Sequence, residues 1–126
     1  SRDFNVCVAD SRAQAKSMLR QLDAPPALAL VDLGLPPTPH RPDEGFQLIG
    51  ELLAYSSAIK IVVLSGQNDE AHARHARTLG AIEFVAKPAD PARLKDGFNT
   101  LPDGERIFYI SNPALGLWAY RGRFTK

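Results

Sequence analysis

Four residues stand where a phosphate could be handled: Asp10, Asp32, Ser65 and Lys87. Each closes, or directly follows, a short apolar run of the kind that folds as a β-strand. In an open parallel sheet, ligands bind beyond the carboxyl ends of the strands, so such residues would collect on one rim. A carboxylate there can act as a nucleophile. An ammonium can pair with phosphoryl oxygens, and a hydroxyl can donate a hydrogen bond to one. Singly, each residue has a plainer reading as a helix cap or a turn former. In order, on successive strands, the set points to phosphoryl chemistry.

The intervening sequence supplies the elements that must carry these residues. Residues 4–9 are β-prone, Asp10 and Ser11 offer an N-cap, and Ala15, Met18, Leu19 and Leu22 mark one helical face before Pro25-Pro26 ends it. Residues 27–31 form a continuous apolar run closed by Asp32, as expected for a strand covered on both faces. After a Pro-rich loop from Pro36 to Pro42, Pro42 and Asp43 suit the opening of a second helix, with Phe46, Ile49, Leu52 and Leu53 facing inward. Residues 61–64 predict a strand ending at Ser65-Gly66. Asp69 can cap a third helix that reaches Leu79 and stops at Gly80. A strand over 82–86 ends at Lys87-Pro88, and a fourth helix carries Leu94 and Phe98. Such alternation predicts an α/β fold with a doubly wound parallel sheet.

Composition fits one ordinary domain. The chain has 126 residues, 44% hydrophobic and 23% charged, with a formal net charge of +1. That balance gives no global field for nucleic acid or anionic lipid, and neither direct nucleic-acid binding nor membrane association is expected. Cys7 is the single cysteine, which excludes an intramolecular disulfide and a Cys-based zinc cluster. No apolar run approaches the ~18 residues of a membrane span. A cytoplasmic protein is the expectation. His72 and His75 share a helical face without a visible third ligand, which favours a solvated face over a metal site.

The segments Val31-Asp32-Leu33-Gly34-Leu35-Pro36, Val63-Leu64-Ser65-Gly66 and Phe84-Val85-Ala86-Lys87-Pro88 resemble the three signature segments of response-regulator receiver domains of two-component systems. The resemblance covers about residues 4–100. It implies a flavodoxin-like receiver fold, with Asp32 as phosphoacceptor, Ser65 as the switch hydroxyl, Lys87 as the family's lysine and Phe84 as the aromatic that swings inward on activation. The 22 positions from Ser65 to Lys87 match the family's interval. Lys87–Pro88 corresponds to a peptide bond that is cis in the family. The stretch from Asp32 through the elongated loop to Glu44-Gly45-Phe46, with Gly66-Gln67-Asn68-Asp69, is similar to regulators linked to exosortase systems. There the receiver is followed by an ATPase activator domain. The resemblance implies a phosphoprotein in phosphorelay signal transduction and transcription regulation. It catalyses only its own phosphorylation and is otherwise no enzyme. Its implied partners are a histidine kinase and a downstream output domain or protein.

One family feature is missing. A receiver opens with a strand ending in two adjacent acids that hold Mg²⁺, and no acidic pair follows any early strand here. Residues 4–22 resemble instead the family's second βα unit, so the first βα unit is absent. Two explanations compete: an N-terminally truncated form, or residues 4–9 sliding into the central slot so that Asp10 becomes a lone surrogate acid beside Asp32. The local sequence favours the first. Asp32 and the Gly34 backbone carbonyl remain as Mg²⁺ ligands, with Asp10 as a third candidate, and only weak Mg²⁺ binding is expected. The alternative function is a pseudo-receiver, a binding or dimerisation module without efficient phosphorylation.

The receiver is assigned to residues 1–101 and a C-terminal tail to residues 102–126, with one strand over 106–111. Near its end Trp118, Tyr120 and Phe124 interleave with Arg121, Arg123 and Lys126. Such a pattern can stack on nucleic acid, but a tail packing on the domain or a partner chain is preferred. Loss of the family's central first strand would leave two unpaired strand edges. The slot is therefore expected to be filled by residues 4–9, by residues 106–111 folding back, or by a strand from a second chain in a homodimer.

Overall fold

A computed structural model of the chain describes residues 5–37, 41–65, 70–86 and 106–110. The elements in chain order are β1 (Asn5–Ala9), α1 (Arg12–Gln21), β2 (Leu28–Asp32), α2 (Asp43–Tyr55), β3 (Lys60–Ser65), α3 (Glu70–Leu79), β4 (Glu83–Ala86) and β5 (Arg106–Ile110). The five strands form one sheet in the order β1-β5-β2-β3-β4, and every pairing is parallel. This is the expected α/β fold with a parallel sheet. The expected fourth helix with Leu94 and Phe98, the cap Asp69 and the aromatic–basic terminus lie outside the described residues.

The strand order decides between the three candidates for the central slot. β5 occupies it, in register with β1 through Cys7↔Phe108 and Ala9↔Ile110 and with β2 through Ala29↔Phe108 and Val31↔Ile110. Residues 4–9 have not slid inward: β1 lies at the sheet edge. The reason is packing. Ile107, Phe108, Tyr109 and Ile110 are 0–2% exposed, and a strand buried on both faces must be apolar at every position. β5 meets that demand over residues 107–110, whereas β1 keeps Cys7 and Val8 only half-buried.

Local sequence explains the helices. Ser11 is the N-cap of α1, its Oγ accepting from Gln14 N–H at 3.1 Å. Ala15 and Leu19 are buried, with Met18 and Leu22 packed beside them. α2 opens after Pro42 and buries Gly45, Leu48, Ile49 and Leu52; Leu48 is an inward position that the periodicity missed. Gly80 ends α3 at φ +119°, a backbone conformation that disfavours side chains. A Cβ there would also meet Leu53 Cδ1 at 2.5 Å.

From β1 through β4 the chain advances across the sheet in one direction. With right-handed crossovers, α1, α2 and α3 must then fall on one face. Their buried residues join Ala29, Val31, Ile61, Val63, Phe84, Phe108 and Ile110 in one cluster. The alternate residues Leu28, Leu30, Val62, Leu64, Val85, Ile107 and Tyr109 form a second buried cluster, to which no residue of the three helices belongs.

Two charged residues of α1 reach across to α2. Arg12 Nε donates to Glu51 Oε1 at 2.7 Å and its second guanidinium nitrogen to Oε2 at 2.9 Å, a two-pronged pair. Glu44 lies 3.4 Å from Arg12, and Lys16 Nζ is 2.9 Å from Glu51 Oε2. Arg12 and Lys16 are four apart on one helix, and Glu44 and Glu51 seven apart on the other. Each pair therefore shares a helix face.

Candidate functional site

Asp32 ends β2 and Ser65 ends β3, the strand next to it. The register pairs Asp32 with Leu64, so Ser65 stands one residue further toward the carboxyl rim. Neighbouring strands lie ~4.8 Å apart, which brings the carboxylate and the hydroxyl to adjacent positions. Both are buried, at 1% and 5% exposure, and they are the two buried polar residues among those described. Burial of polar groups is costly unless their hydrogen bonds are satisfied. Among the described residues, no buried side-chain nitrogen or oxygen lacks a partner.

Four restraints hold the segment after Asp32. Gly34 N–H donates to Asp32 Oδ1 at 3.1 Å, a local turn that orients the carboxylate. Leu33 N–H donates to Leu64 carbonyl at 3.1 Å, extending the ladder with β3 past the last paired residue. Leu33 and Leu35 are buried, anchoring the segment in the helix-side core. Finally, α2 lies directly on it: a Cβ at Gly45 would come within 2.5 Å of Leu33 Cα and 3.0 Å of Leu33 carbonyl oxygen. Gly45 is therefore required by close backbone approach, a positioning role that the sequence alone does not announce because it depends on Leu33.

Phe84 lies on β4 opposite Val63 and is 8% exposed, on the helix-covered face. Ala86 is the register partner of Ser65. Lys87 and Pro88, the expected lysine and cis peptide bond, follow it in sequence and lie outside the described residues.

Asp10 is not brought beside Asp32. It is exposed and follows β1, with β5 between its strand and β2. Two strand spacings, ~10 Å, separate the two rows. At Asp10 the backbone serves the helix, its N–H donating to Gln14 Oε1 at 2.6 Å. The surrogate-acid arrangement that depended on β1 entering the slot is therefore not formed.

Mg²⁺ takes near-ideal octahedral oxygen ligation and is commonly held by one or two carboxylates with several waters. Among the described residues, no group of three His, Cys, Asp or Glu side chains could hold a metal ion. Asp32 has no second carboxylate on a neighbouring strand, and the residues that follow β5 in sequence are the neutral Ser111 and Asn112. The described residues do not fit a dedicated Mg²⁺ cage. His72 and His75 serve packing, their rings edge-on to Phe46 at 5.8 and 4.5 Å between centroids across the α2–α3 junction.

The family model of the response regulator receiver domain matches residues 1–99. The acid tolerance regulatory protein ActR of Rhizobium meliloti (strain 1021) is 32% identical over 115 residues, covering 90% of this chain and 54% of ActR. The transcriptional regulatory protein CreB of Escherichia coli (strain K12) is 28% identical over 90 residues, covering 71% of this chain and 37% of CreB. The chain thus spans about half the length, or less, of these curated relatives. Among solved structures, a response regulator receiver protein from Pseudomonas putida superposes with a TM-score of 0.64 at 22% identity, covering 80% of this chain and 98% of that one. A CheY-like receiver domain protein from Methanospirillum hungatei JF-1 gives 0.62 at 16% identity, covering 79% and 93%. At these identities the structural likeness is one of fold.

Proposed function

The chain belongs to the response regulator receiver domain family of two-component systems, and from that premise we propose that it is a phosphorylation-dependent signalling switch with Asp32 as acceptor. The observation that carries this reading is the buried Asp32–Ser65 pair at the ends of adjacent strands. A carboxylate oxygen of Asp32 attacks phosphorus in a phosphohistidine of a kinase. The new P–O bond forms as the P–N bond breaks, and the departing imidazole nitrogen takes a proton from solvent. Gly34 N–H orients the acceptor carboxylate. Negative charge spreads over three phosphoryl oxygens in such a transfer, and the Ser65 hydroxyl donates to one of them. By the family resemblance, Lys87 pairs with another and Phe84 turns inward as Ser65 is drawn toward the phosphoryl group. The altered face then changes affinity for an output domain or protein. No step here is assigned to Mg²⁺, whose binding we expect to be weak. The chain acts as a self-catalysed phosphoacceptor, not as an enzyme on other substrates, and works in the cytoplasm. No described helix is long and apolar enough to cross a membrane.

A second reading rests on the absence, among the described residues, of a second carboxylate beside Asp32: a pseudo-receiver that binds partners without efficient phosphorylation. One experiment separates the two. Acetyl phosphate with Mg²⁺ should add a single phosphoryl group by intact mass, and Asp32→Asn should abolish it. Equal labelling of the variant removes Asp32 from the acceptor role. No labelling of the wild type, with folding verified, favours the pseudo-receiver.

A further inference from the structure

Among the described residues, β1 finds its strand partner only in β5. Apart from that pairing, the β1–α1 unit joins the rest of the described fold through the helix-side core, to which Ala9, Ala15 and Leu19 belong, and through ion pairs of Arg12 and Lys16 with Glu44 and Glu51 of α2. These ion pairs join α1 to α2 without passing through β5. With β5 withdrawn, β1 and β2 would face each other across one strand position, ~10 Å wide, each with a row of unpaired N–H and C=O groups. The slot accepts a parallel strand that is apolar on both faces, and residues 107–110 of β5 supply one.

The connection does not oblige β5 to enter its own sheet. β4 ends on the carboxyl rim, and β5 begins on the opposite rim three strand positions away. That separation is about 20 Å. The 19 residues from 87 to 105 could span up to ~60 Å if extended. β5 is also the last described strand, so its exchange requires no other described strand to be threaded.

We infer that the β1–β2 slot is a strand-acceptor site for β5 of a second copy of this chain. The protein then forms a reciprocally strand-exchanged dimer alongside the closed monomer. A second copy is the fitting occupant because it reproduces every β5 contact, with closed two-fold symmetry. The contacts cancel between the two forms, so concentration decides. A tethered strand has an effective concentration on the order of mM, and exchange should populate as the chain approaches it.

The test refolds the full chain from denaturant at ~1 mM and at ~10 μM, near and far below that effective concentration, and measures mass by size-exclusion chromatography with light scattering. The expected result is a dimer fraction from the concentrated sample only. A variant carrying Asn5→Cys, Arg106→Cys and Cys7→Ser places thiols on register partners, within disulfide reach across paired strands. On oxidation its dimer should become covalent, while its monomer closes internally. Monomer alone at ~1 mM, or a dimer whose cross-link stays within one chain, overturns the inference. Should that variant not fold, native mass spectrometry of ¹⁵N-labelled and unlabelled wild type gives the answer. Mixed dimers should form on co-refolding and not on mixing folded dimers. Rapid mixing of folded dimers indicates surface docking and overturns it.

Discussion

The two sides of β2 are built differently. On one side lies β3, reached through α2, and the pair delivers Asp32 and Ser65 to the rim. On the other side lies β5, from near the far end of the chain, and beyond it β1 from the beginning. The β3 side carries the proposed site residues Asp32 and Ser65 and is assembled from neighbouring segments. The β5 side carries no described site residue except the displaced Asp10, yet it closes the sheet and buries four consecutive large side chains. Site and scaffold are thus separable along the chain: the proposed acceptor Asp32 depends on local turns, and its stability depends on a strand from a distant segment.

Deleting residues 104–126 breaks the comparison most severely. Burial of Ile107, Phe108, Tyr109 and Ile110 at ~1.5–3 kcal/mol each amounts to roughly 6–12 kcal/mol, comparable with the whole stability of a domain. The deletion should abolish cooperative thermal unfolding, although every residue proposed for phosphoryl transfer is kept. A stable monomer after deletion would mean that β5 is dispensable and the slot closes by other means.

Phe108→Ala is the finer version. It leaves the strand in place and removes one ring that is fully buried between β1 and β2. The expected loss is about 3–5 kcal/mol. Ile61→Val, a buried trim on the β3 side, should cost only about 0.5–1.5 kcal/mol. Urea unfolding of both variants measures the difference. At a temperature where Phe108→Ala stays folded, it should still take up the phosphoryl group on Asp32. Lost labelling in a folded Phe108→Ala would show that the scaffold side also shapes the site.

Much of the β3 side was legible in the sequence, for a physical reason. Helical spacing from Ala15 to Leu22, the apolar run before Asp32 and the run before Ser65 are local signals that need no knowledge of distant neighbours. The strand over 106–111 was also legible as a strand, but its position was one of three candidates. Only the pairing energetics of β1, β5 and β2 select it, and those are non-local. The clasp of Arg12 on Glu51 joins residues 39 apart, and nothing in the spacing names the partner. Gly45 likewise looks like an ordinary helical glycine until Leu33 is packed against it. The less favoured explanation, with Asp10 as a surrogate acid, failed because it depended on β1 entering the slot, not on Asp10 itself.

Gly45→Ala sharpens the comparison from the chemical side. Its new methyl would meet Leu33 backbone, which cannot rotate away as a side chain could. Overpacking of this kind costs about 1–3 kcal/mol. The strain falls on the residue after Asp32, so phosphorylation by acetyl phosphate should slow in a variant that remains folded. A destabilised variant with an unchanged labelling rate would show that the acceptor segment tolerates displacement.

The smallest effect is expected at the clasp between α1 and α2, where the scaffold unit meets the helix over the site. The hydrogen bond from Arg12 holds the Glu51 carboxyl below its ordinary value of 4.5; partial burial opposes this, and Lys16 adds to the lowering. The same hydrogen bond raises the Arg12 guanidinium above its ordinary value, so Arg12 stays charged through the working range. A carboxyl whose folded pKa is depressed contributes stability above its unfolded pKa and loses it as pH falls through the folded one. Glu51→Gln should therefore cost stability near pH 7 by about 0.2–1 kcal/mol, the range for partly exposed ion pairs. The deficit should shrink as pH falls below 4.5, where the wild-type carboxylate becomes protonated. Urea midpoints of wild type and variant, compared at neutral pH and well below 4.5, measure it. A deficit that persists undiminished in acid would assign the loss to packing of the Glu51 side chain. The clasp would then contribute shape, not charge, to the joint between the two halves.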